Sequence, residues 1–532
     1  METKSKLFQS AQSSKTSNVD TQQVQNLALQ RNTARKAYIN NQTTDTVTAN
    51  GAPTFKSAGS KVLDLFARGA SMRNATESDI RKIVTDAFEE EPALAGACLF
   101  YIRDVLQGQG ERRFFRIALP VIASKYPEAM RQLISLIPRY GRWDDLFALK
   151  GTDFYQEALV YYANQLHKDE LASNVSLAAK WAPSEKAGTK SKEVWRDFVR
   201  HFSSPKAYRK LIARLRKQLK IVETQMSEGK WDEIKYNQVP SRAAFIYRDA
   251  FKKHDEERYS AFIAELLATP KEDRVKNIKS TTLYPYDIVG KVLRGDTDST
   301  LDALWEALPD YLQGKQSNSL AVVDVSGSMD EATSYKSSVR MLDVAISLGL
   351  YLADKATGPW KNQFITFSSN PEFETVEGDT LYEKVHNMKN ANWCMSTDLE
   401  RTFSKMLTIA TEHKLTQEEL PSTIYVISDM QFDNGCTPNF WYSDKSYKQT
   451  TFKNISKMFE KAGYVRPNII FWNVSGQAKD VPVTYNEYGV GLLSGFSATN
   501  FRLAMGDDTT PEELMRNTLE DARYEPVRFA FI

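Results

Sequence analysis

The sequence predicts an α plus α/β fold, in which an all-helical repeat domain, forming an arc or ring, precedes a doubly wound sheet. Three observations predict it. From residue 61 to 315 apolar side chains recur three and four apart, the period of helices that bury one face. After Gln316 the pattern changes to short continuous apolar runs, as in strands covered on both faces, alternating with amphipathic helices. The first sixty residues are rich in Ser, Thr, Gln and Asn, as in Gln9-Ser-Ala-Gln-Ser-Ser14, and read as a mostly disordered or draped arm. The expected domains are therefore 1–60, 61–315 and 316–532.

Within the helical stretch, Asp79–Phe88, Pro92–Leu106 and Arg112–Lys125 make three consecutive helices, parted by Glu91-Pro92 and Gln107-Gly-Gln-Gly110. Pro127–Leu136, Asp144–Leu149, Tyr155–Leu166 and Leu171–Trp181 continue the pattern, followed by Lys192–Phe202, Pro205–Lys220, Ser241–Phe251, Glu256–Leu267 and Ser299–Leu312. Many short helices without strands suggest stacked pairs, a solenoid of the HEAT type, although no strict period is visible.

The second half opens on Ser319-Leu-Ala-Val-Val-Asp-Val325, a buried parallel strand. A helix over Tyr335–Thr357 follows, then strands at Gln363–Phe367 and Phe373–Val376. Helices at Asp379–Met388 and Asp398–His413 precede the strand Ser422–Ile427. A helix over Phe452–Ala462 and strands at Asn468–Val474 and Gly489–Leu493 complete the alternation. In such a sheet, ligands bind beyond the C-terminal ends of the strands. The last segment, Val527–Ile532, reads as a terminal strand or docking tail.

Composition narrows the function classes. The 532 residues carry a formal net charge of +2, so any electrostatic argument must be local. No apolar run reaches the length of a membrane span, and the polar N-terminus lacks a signal-peptide core. The three cysteines, Cys98, Cys394 and Cys436, are too widely spaced for a disulfide framework or a zinc knuckle, and point to a reducing cytoplasm. Gln107–Gly110 lacks the preceding strand and third glycine of a dinucleotide loop, and there is no Gly-Lys-Ser/Thr phosphate loop. Cys394 has no histidine placed to activate it. Trp143, Trp181, Trp195 and Trp231 read as packing residues, and Arg103, Asp104, Glu111, Arg112 and Arg113 as ion pairs between helices.

One constellation carries chemistry. Asp324-Val-Ser-Gly-Ser328 lies where the first long strand ends, and in an extended or turning segment residues i, i+2 and i+4 project to one side. Asp324, Ser326 and Ser328 can then converge on one hard cation, Mg2+ first, with Mn2+ or Ca2+ as alternatives. Met395-Ser-Thr-Asp398 and Ile427-Ser-Asp-Met430 end at the same edge, which makes Thr397 and Asp429 the natural further ligands. The competing reading is that Ser326 and Ser328 only cap the next helix.

These three segments in this order resemble the metal-ion-dependent adhesion site of von Willebrand factor A domains. The resemblance implies direct ligation by Ser326, Ser328 and Thr397, with Asp324 and Asp429 bound directly or through water. It also implies an open coordination position for an acidic group from a protein partner. Met395 and Ser396 stand where many members carry glycines, a departure that bears on Thr397. A helical half joined to such a domain resembles the Ro autoantigen (TROVE) family, whose helical ring binds RNA. A closer resemblance is to uncharacterised proteins of plants, bacteria and viruses with the same two parts. That second likeness is carried by Asn50-Gly-Ala-Pro-Thr-Phe55, Leu99–Asp104 with Gly110-Glu-Arg-Arg113, Tyr140–Asp145, Lys180-Trp-Ala-Pro183, Val222-Glu-Thr224 and Val239-Pro-Ser-Arg242.

Independently, the helix Pro205–Lys220 carries seven cations and no acid: Lys206, Arg209, Lys210, Arg214, Arg216, Lys217 and Lys220. Lys180, Arg196 and Arg200 flank it. Such a face can neutralise several phosphates of an RNA. A solvated helix face is the bland alternative, and contact with an anionic membrane or a calmodulin-like protein ranks below RNA. The reading is of a monomeric, non-catalytic RNA-binding protein that docks an acidic partner through metal, because only Asp398 offers itself as a further base or metal ligand. The alternative is a metal-dependent assembly adaptor without RNA binding.

Overall fold

A computed structural model of the chain describes residues 44–185, 189–270, 283–312, 318–333, 338–357, 360–367, 371–391, 398–433, 451–503 and 509–532. The arm expected at residues 1–60 therefore lies outside the described residues as far as residue 43. The chain forms two compact units. One holds the described residues up to Ala75 with Tyr284–Leu301 and Asp310–Thr518; the other holds Thr76–Leu283, Asp302–Pro309 and Leu519–Ile532. This is not the linear order read from the sequence, since segments 44–75 and 284–301 fold with the sheet.

The helical unit is built as its periodicity dictates. Thr76, Glu111 and Ser204 each accept a backbone N–H of the first turn that follows, starting helices Glu77–Glu90, Arg112–Lys125 and Pro205–Gln218. Helix Pro92–Arg103 buries residues 94–103 without a break, so it is a central element rather than an amphipathic cover. Helices Ser241–His254 and Glu256–Ala268 pack as neighbours around Phe251, Tyr259 and Ile263. Three local expectations are corrected. Trp143–Leu149 is a 3-10 helix. The proposed helix Leu171–Trp181 is helical only over Ala178–Trp181, because Ala172 is extended and Ser176 Oγ donates back to Asp169 Oδ2 at 2.6 Å. The C-terminal segment is a short helix, Glu525–Phe529, and belongs to this unit.

The sheet unit begins with a hairpin, β1 (Thr46–Val47) paired antiparallel to β2 (Pro53–Thr54). Helix α1 (Lys61–Arg68) follows, capped by Ser60, and α2 (Pro285–Leu293) joins from the middle of the chain. The sheet strands are β3 (Ser319–Val323), β4 (Gln363–Thr366), β5 (Phe373–Thr375), β6 (Thr423–Ser428), β7 (Asn468–Asn473) and β8 (Val490–Ser494). Their spatial order is β5-β4-β3-β6-β7-β8, parallel except for the antiparallel edge β5. Helix α3 (Met341–Lys355) lies in the β3-to-β4 connection; α4 (Leu381–Lys389) and α5 (Leu399–Glu412) lie between β5 and β6, and α6 (Thr451–Lys461) between β6 and β7. β3, β4, β7 and β8 are buried throughout, as strands covered on both faces must be. The chain leaves β3 in one direction and β6 in the other. Right-handed crossovers then put α3 and α6 on opposite faces and open a crevice beyond the C-terminal ends of β3 and β6. Among the described residues no helix is long and apolar enough to cross a membrane.

Candidate metal centre

Asp324 follows β3 directly, and its backbone N–H donates to Ile427 O of β6 at 3.0 Å, so the carboxylate is fixed at the mouth of that crevice. The side chain is fully buried. Its Oδ1 accepts the Ser326 N–H at 2.9 Å and its Oδ2 accepts the Ser428 hydroxyl at 2.6 Å. Asp429, one residue beyond β6, is also buried, and its Oδ1 accepts the Gln431 N–H at 3.0 Å. Burial, and then the neighbouring charge of Asp429, push the Asp324 carboxyl up to about 6, against the hydrogen bonds from Ser428 and Ser326.

Ser326 and Ser328 complete one wall, their hydroxyls 3.1 Å apart and Ser328 exposed. No cap bond joins the Ser326 side chain to the 3-10 turn Gly327–Asp330. The long helix α3 is capped instead by Asp343, which accepts the Arg340 N–H at 3.1 Å. The capping alternative therefore does not account for the two serines. Beyond them, Arg340 bridges Asp330 at 2.7 Å and the buried Asp343 at 2.8 Å, and Arg294 reaches Asp343 at 3.1 Å. These ion pairs tie the serine loop to α3.

Four of the five expected ligands, Asp324, Ser326, Ser328 and Asp429, are thus at one edge of one sheet. Thr397 lies outside the described residues, as do Cys394, Met395, Ser396 and Cys436. The neighbouring Asp398 caps α5 by accepting the Arg401 N–H at 3.0 Å and pairs with its guanidinium at 3.2 Å. It is occupied as a helix cap. The donor set, two carboxylates that repel one another and two hydroxyls, fits a hard divalent cation, which would relieve the repulsion.

Sequence reasoning missed two features of this edge. Ser428 holds Asp324 and also accepts the Met430 N–H at 3.0 Å, whereas the sequence of Ile427–Met430 points only to Asp429. Met430 itself sits at φ 68°, an uncommon conformation for a side chain with Cβ, which turns the chain sharply after Asp429. The second feature is the segment Thr48–Ala52. Thr48 Oγ1 donates to Phe432 O, Gln431 Oε1 accepts the Ala49 N–H, and Asn50 Nδ2 donates to Gln431 O, each at 2.6 Å. The signal that could have found it was Asn50-Gly51, a hairpin dipeptide, with Gly51 at φ 91°.

On the helical unit, the cationic face divides. Tyr208, Leu211, Ile212 and Leu215 form the buried stripe of helix Pro205–Gln218 as expected. Four of the ten cations are engaged internally. Lys180 pairs with Glu223 at 3.2 Å, Arg209 with Glu185 at 3.0 Å, and Arg214 with Glu170. Arg216 donates to the carbonyls of Ala179 and Ala182 at 2.8 and 3.0 Å. Arg196, Arg200, Lys206, Lys210, Lys217 and Lys220 are exposed and close no ion pair among the described residues. Lys186 and Lys190 have no described side chain.

Compared with known proteins, residues 318–527 match a domain of unknown function, DUF7788, and residues 48–149 and 195–326 match another, DUF2828. The chain is 28% identical over 531 residues to an uncharacterized protein of Acanthamoeba polyphaga mimivirus, covering 90% of this chain and 88% of that one. Among solved structures, the Ro (RSR) protein of Deinococcus radiodurans matches at 15% identity with a TM-score of 0.35, over 87% of this chain and 93% of that one. The likeness to a viral protein and to two domains of unknown function agrees with the expected resemblance to uncharacterised proteins.

Proposed function

We propose that this chain is a non-catalytic RNA-binding protein whose sheet unit holds a divalent cation and through it docks an acidic partner. The observation that carries the metal reading is the convergence of Asp324, Ser326, Ser328 and Asp429 at the point where the strand order reverses. The motif resembles that of von Willebrand factor A domains, and Thr397 is assigned as the fifth ligand on that resemblance. Mg2+ is the first choice, and when bound it supplies a Lewis-acidic position for a carboxylate from outside. The chain's own part is to hold two carboxylates rigid through Ser428 and Gln431, and to leave Ser328 open to solvent. Hydroxyl-rich ligation with Asp398 committed as a helix cap favours holding a ligand over activating water.

The RNA reading rests on the six exposed cations of the helical unit that close no ion pair among the described residues. RNA binding should therefore depend on salt. Changing Lys206, Lys210, Lys217 and Lys220 together to Gln should lower the slope of log affinity against log salt by about 3 for a single strand. Binding that ignores both salt and these changes would overturn it, and would favour the alternative reading of an assembly adaptor without RNA. That alternative draws on the four engaged cations of this face, Lys180, Arg209, Arg214 and Arg216, which are spent on internal partners. For the metal, Mg2+ or Mn2+ should raise the melting temperature of the sheet unit, by mass action on the folded state, and Asp324→Ala should abolish the rise. A melting curve indifferent to metal in the unaltered chain would refute the site.

A further inference from the structure

The helical unit contains a second cationic cluster, distinct from the face on helix Pro205–Gln218, whose charges do not cancel. Asp145 is fully buried; its Oδ2 accepts Arg103 Nε at 2.8 Å and its Oδ1 accepts Arg116 Nε at 2.7 Å. Asp144 Oδ2 lies 2.8 Å from Arg116 Nη2 and 2.5 Å from Arg142 Nη2, and its Oδ1 accepts Arg142 Nε at 2.8 Å. All four carboxylate oxygens are thus taken by three guanidiniums. Arg142 is also packed flat against Trp181, its Cζ 3.4 Å from the ring centroid, so it cannot swing away cheaply.

A fourth arginine remains. Arg112 stands one helical turn before Arg116 on helix Arg112–Lys125, on the same face. It is exposed and closes no ion pair among the described residues. Partial burial of its guanidinium, and then the like charges of Arg116 and Arg142, loosen its hold on its proton, against the pull of Asp144 and Asp145. Four cations, Arg103, Arg112, Arg116 and Arg142, against two anions, Asp144 and Asp145, leave two positive charges in excess. A group that brings about two negative charges and several acceptor oxygens would balance them, which is the chemistry of a phosphoryl group.

We propose that Arg112, with Arg116 and Arg142 behind it, forms a phosphoryl-binding site on the helical unit. Arg103, Asp144 and Asp145 are its scaffold: they fix the two rear guanidiniums and leave Arg112 free to close on an oxyanion. The site goes beyond the RNA reading above and does not require it, since the charge could come from a free phosphate or from two neighbouring, singly charged phosphodiesters of a nucleic-acid backbone.

The test uses the full chain at low salt with two probes, inorganic pyrophosphate and a single-stranded uridine oligonucleotide. Arg112→Gln should weaken binding about tenfold, the worth of one charge-assisted hydrogen bond, with the melting temperature unchanged. Arg112→Lys should recover part of the loss, since it restores charge without the planar fork. Loss for both probes supports the site for phosphoryl groups in general. Loss for the oligonucleotide alone identifies its source as a polynucleotide, and loss for pyrophosphate alone as a free phosphate. If neither probe binds, or Arg112→Gln changes neither, the proposal is overturned. The variant with Gln at Lys206, Lys210, Lys217 and Lys220 serves as the separate control, because it should spare pyrophosphate even if it weakens RNA.

Discussion

Asp145 is a wholly buried carboxylate that is stable only because Arg103 and Arg116 both reach it. Removing one partner of a buried ion pair leaves the other charge in a poor solvent, which costs about 3–5 kcal/mol. Asp145→Ala should therefore cost the helical unit about that much in chemical denaturation, leaving Arg103, itself 1% exposed, without a counter-charge. A loss under about 1 kcal/mol, the size of a surface pair, would show that water reaches the cluster. Glu400 presents the opposite case. Burial raises its carboxyl, Asn454 Nδ2 donates to it at 2.6 Å, and the neighbouring charge of Asp398 raises it further. A raised folded value means that the folded chain binds this proton more tightly than the unfolded chain. Stability is therefore lost as pH rises from the ordinary glutamate range through the raised value. Glu400→Gln keeps the acceptor for Asn454 and removes the titration. The variant should melt higher than the parent at about pH 7 and together with it at about pH 4, below both values. Equal melting at both pH values would refute the assignment.

Elements differ in how much of themselves they declare. Helix α3 meets the sheet closely at Gly349, where a Cβ would come 2.5 Å from Val323 Cγ2 and 2.9 Å from Met388 Cε. Gly349→Ala should therefore destabilise the sheet unit by about 1–3 kcal/mol despite the better helix propensity of alanine, as overpacked cores do. An unchanged or raised melting temperature would mean that the neighbours yield freely. Gly349 lies in the stretch Asp343–Ala353 of α3, which is buried on every side rather than along one face. The strands Leu320–Val323, Ile424–Ile427 and Ile469–Trp472 were legible in the sequence, since each is a continuous apolar run that only a two-sided burial explains. Asp324 could be placed at a strand end because the run stops there. The segment Thr48–Ala52 could not be assigned to the same edge. Its holds on Gln431, Phe432 and Asp433 are backbone bonds and two short polar side chains across more than 380 residues, and backbone bonds leave no pattern in a sequence. Asn50→Ala removes one of these and should cost about 0.5–1.5 kcal/mol in the sheet unit.

For the whole molecule, the chain's path matters more than its content. It begins in the sheet unit as far as Ala75, builds most of the helical unit, completes the sheet unit by Thr518, and returns with Leu519–Ile532 to finish the helical unit. The return is specified by close contacts. Arg523 pairs with the buried Asp104 through Nε and through Nη2, the latter at 2.7 Å, and Tyr524 donates to the same carboxylate at 3.1 Å. Tyr140 donates to Arg523 O and stacks on Tyr524 with centroids 5.8 Å apart. Phe531 packs on Phe88 and Tyr126 at 5.5 and 5.8 Å, and Gly96 is what lets it approach, since a Cβ there would lie 2.3 Å from its ring. The segment Val527–Ile532 reads as a strand or a docking tail because six residues fit a strand or a short helix equally well; it docks through Val527 and Phe531, while Phe529 and Ile532 stay exposed. A chain ending at Thr518 would expose the faces of Phe88 and Tyr126 and leave Asp104 buried without its guanidinium. The second effect alone costs about 3–5 kcal/mol, a large share of the 5–15 kcal/mol that a domain has. Such a chain should lose hydrogen-exchange protection over Pro92–Arg103 while keeping it over Ser319–Val323, with the response to Mg2+ intact. Protection retained at Phe100 and Ile102 would show that the returning segment only decorates the unit. Loss over Ser319–Val323 as well would show that the two units do not unfold separately.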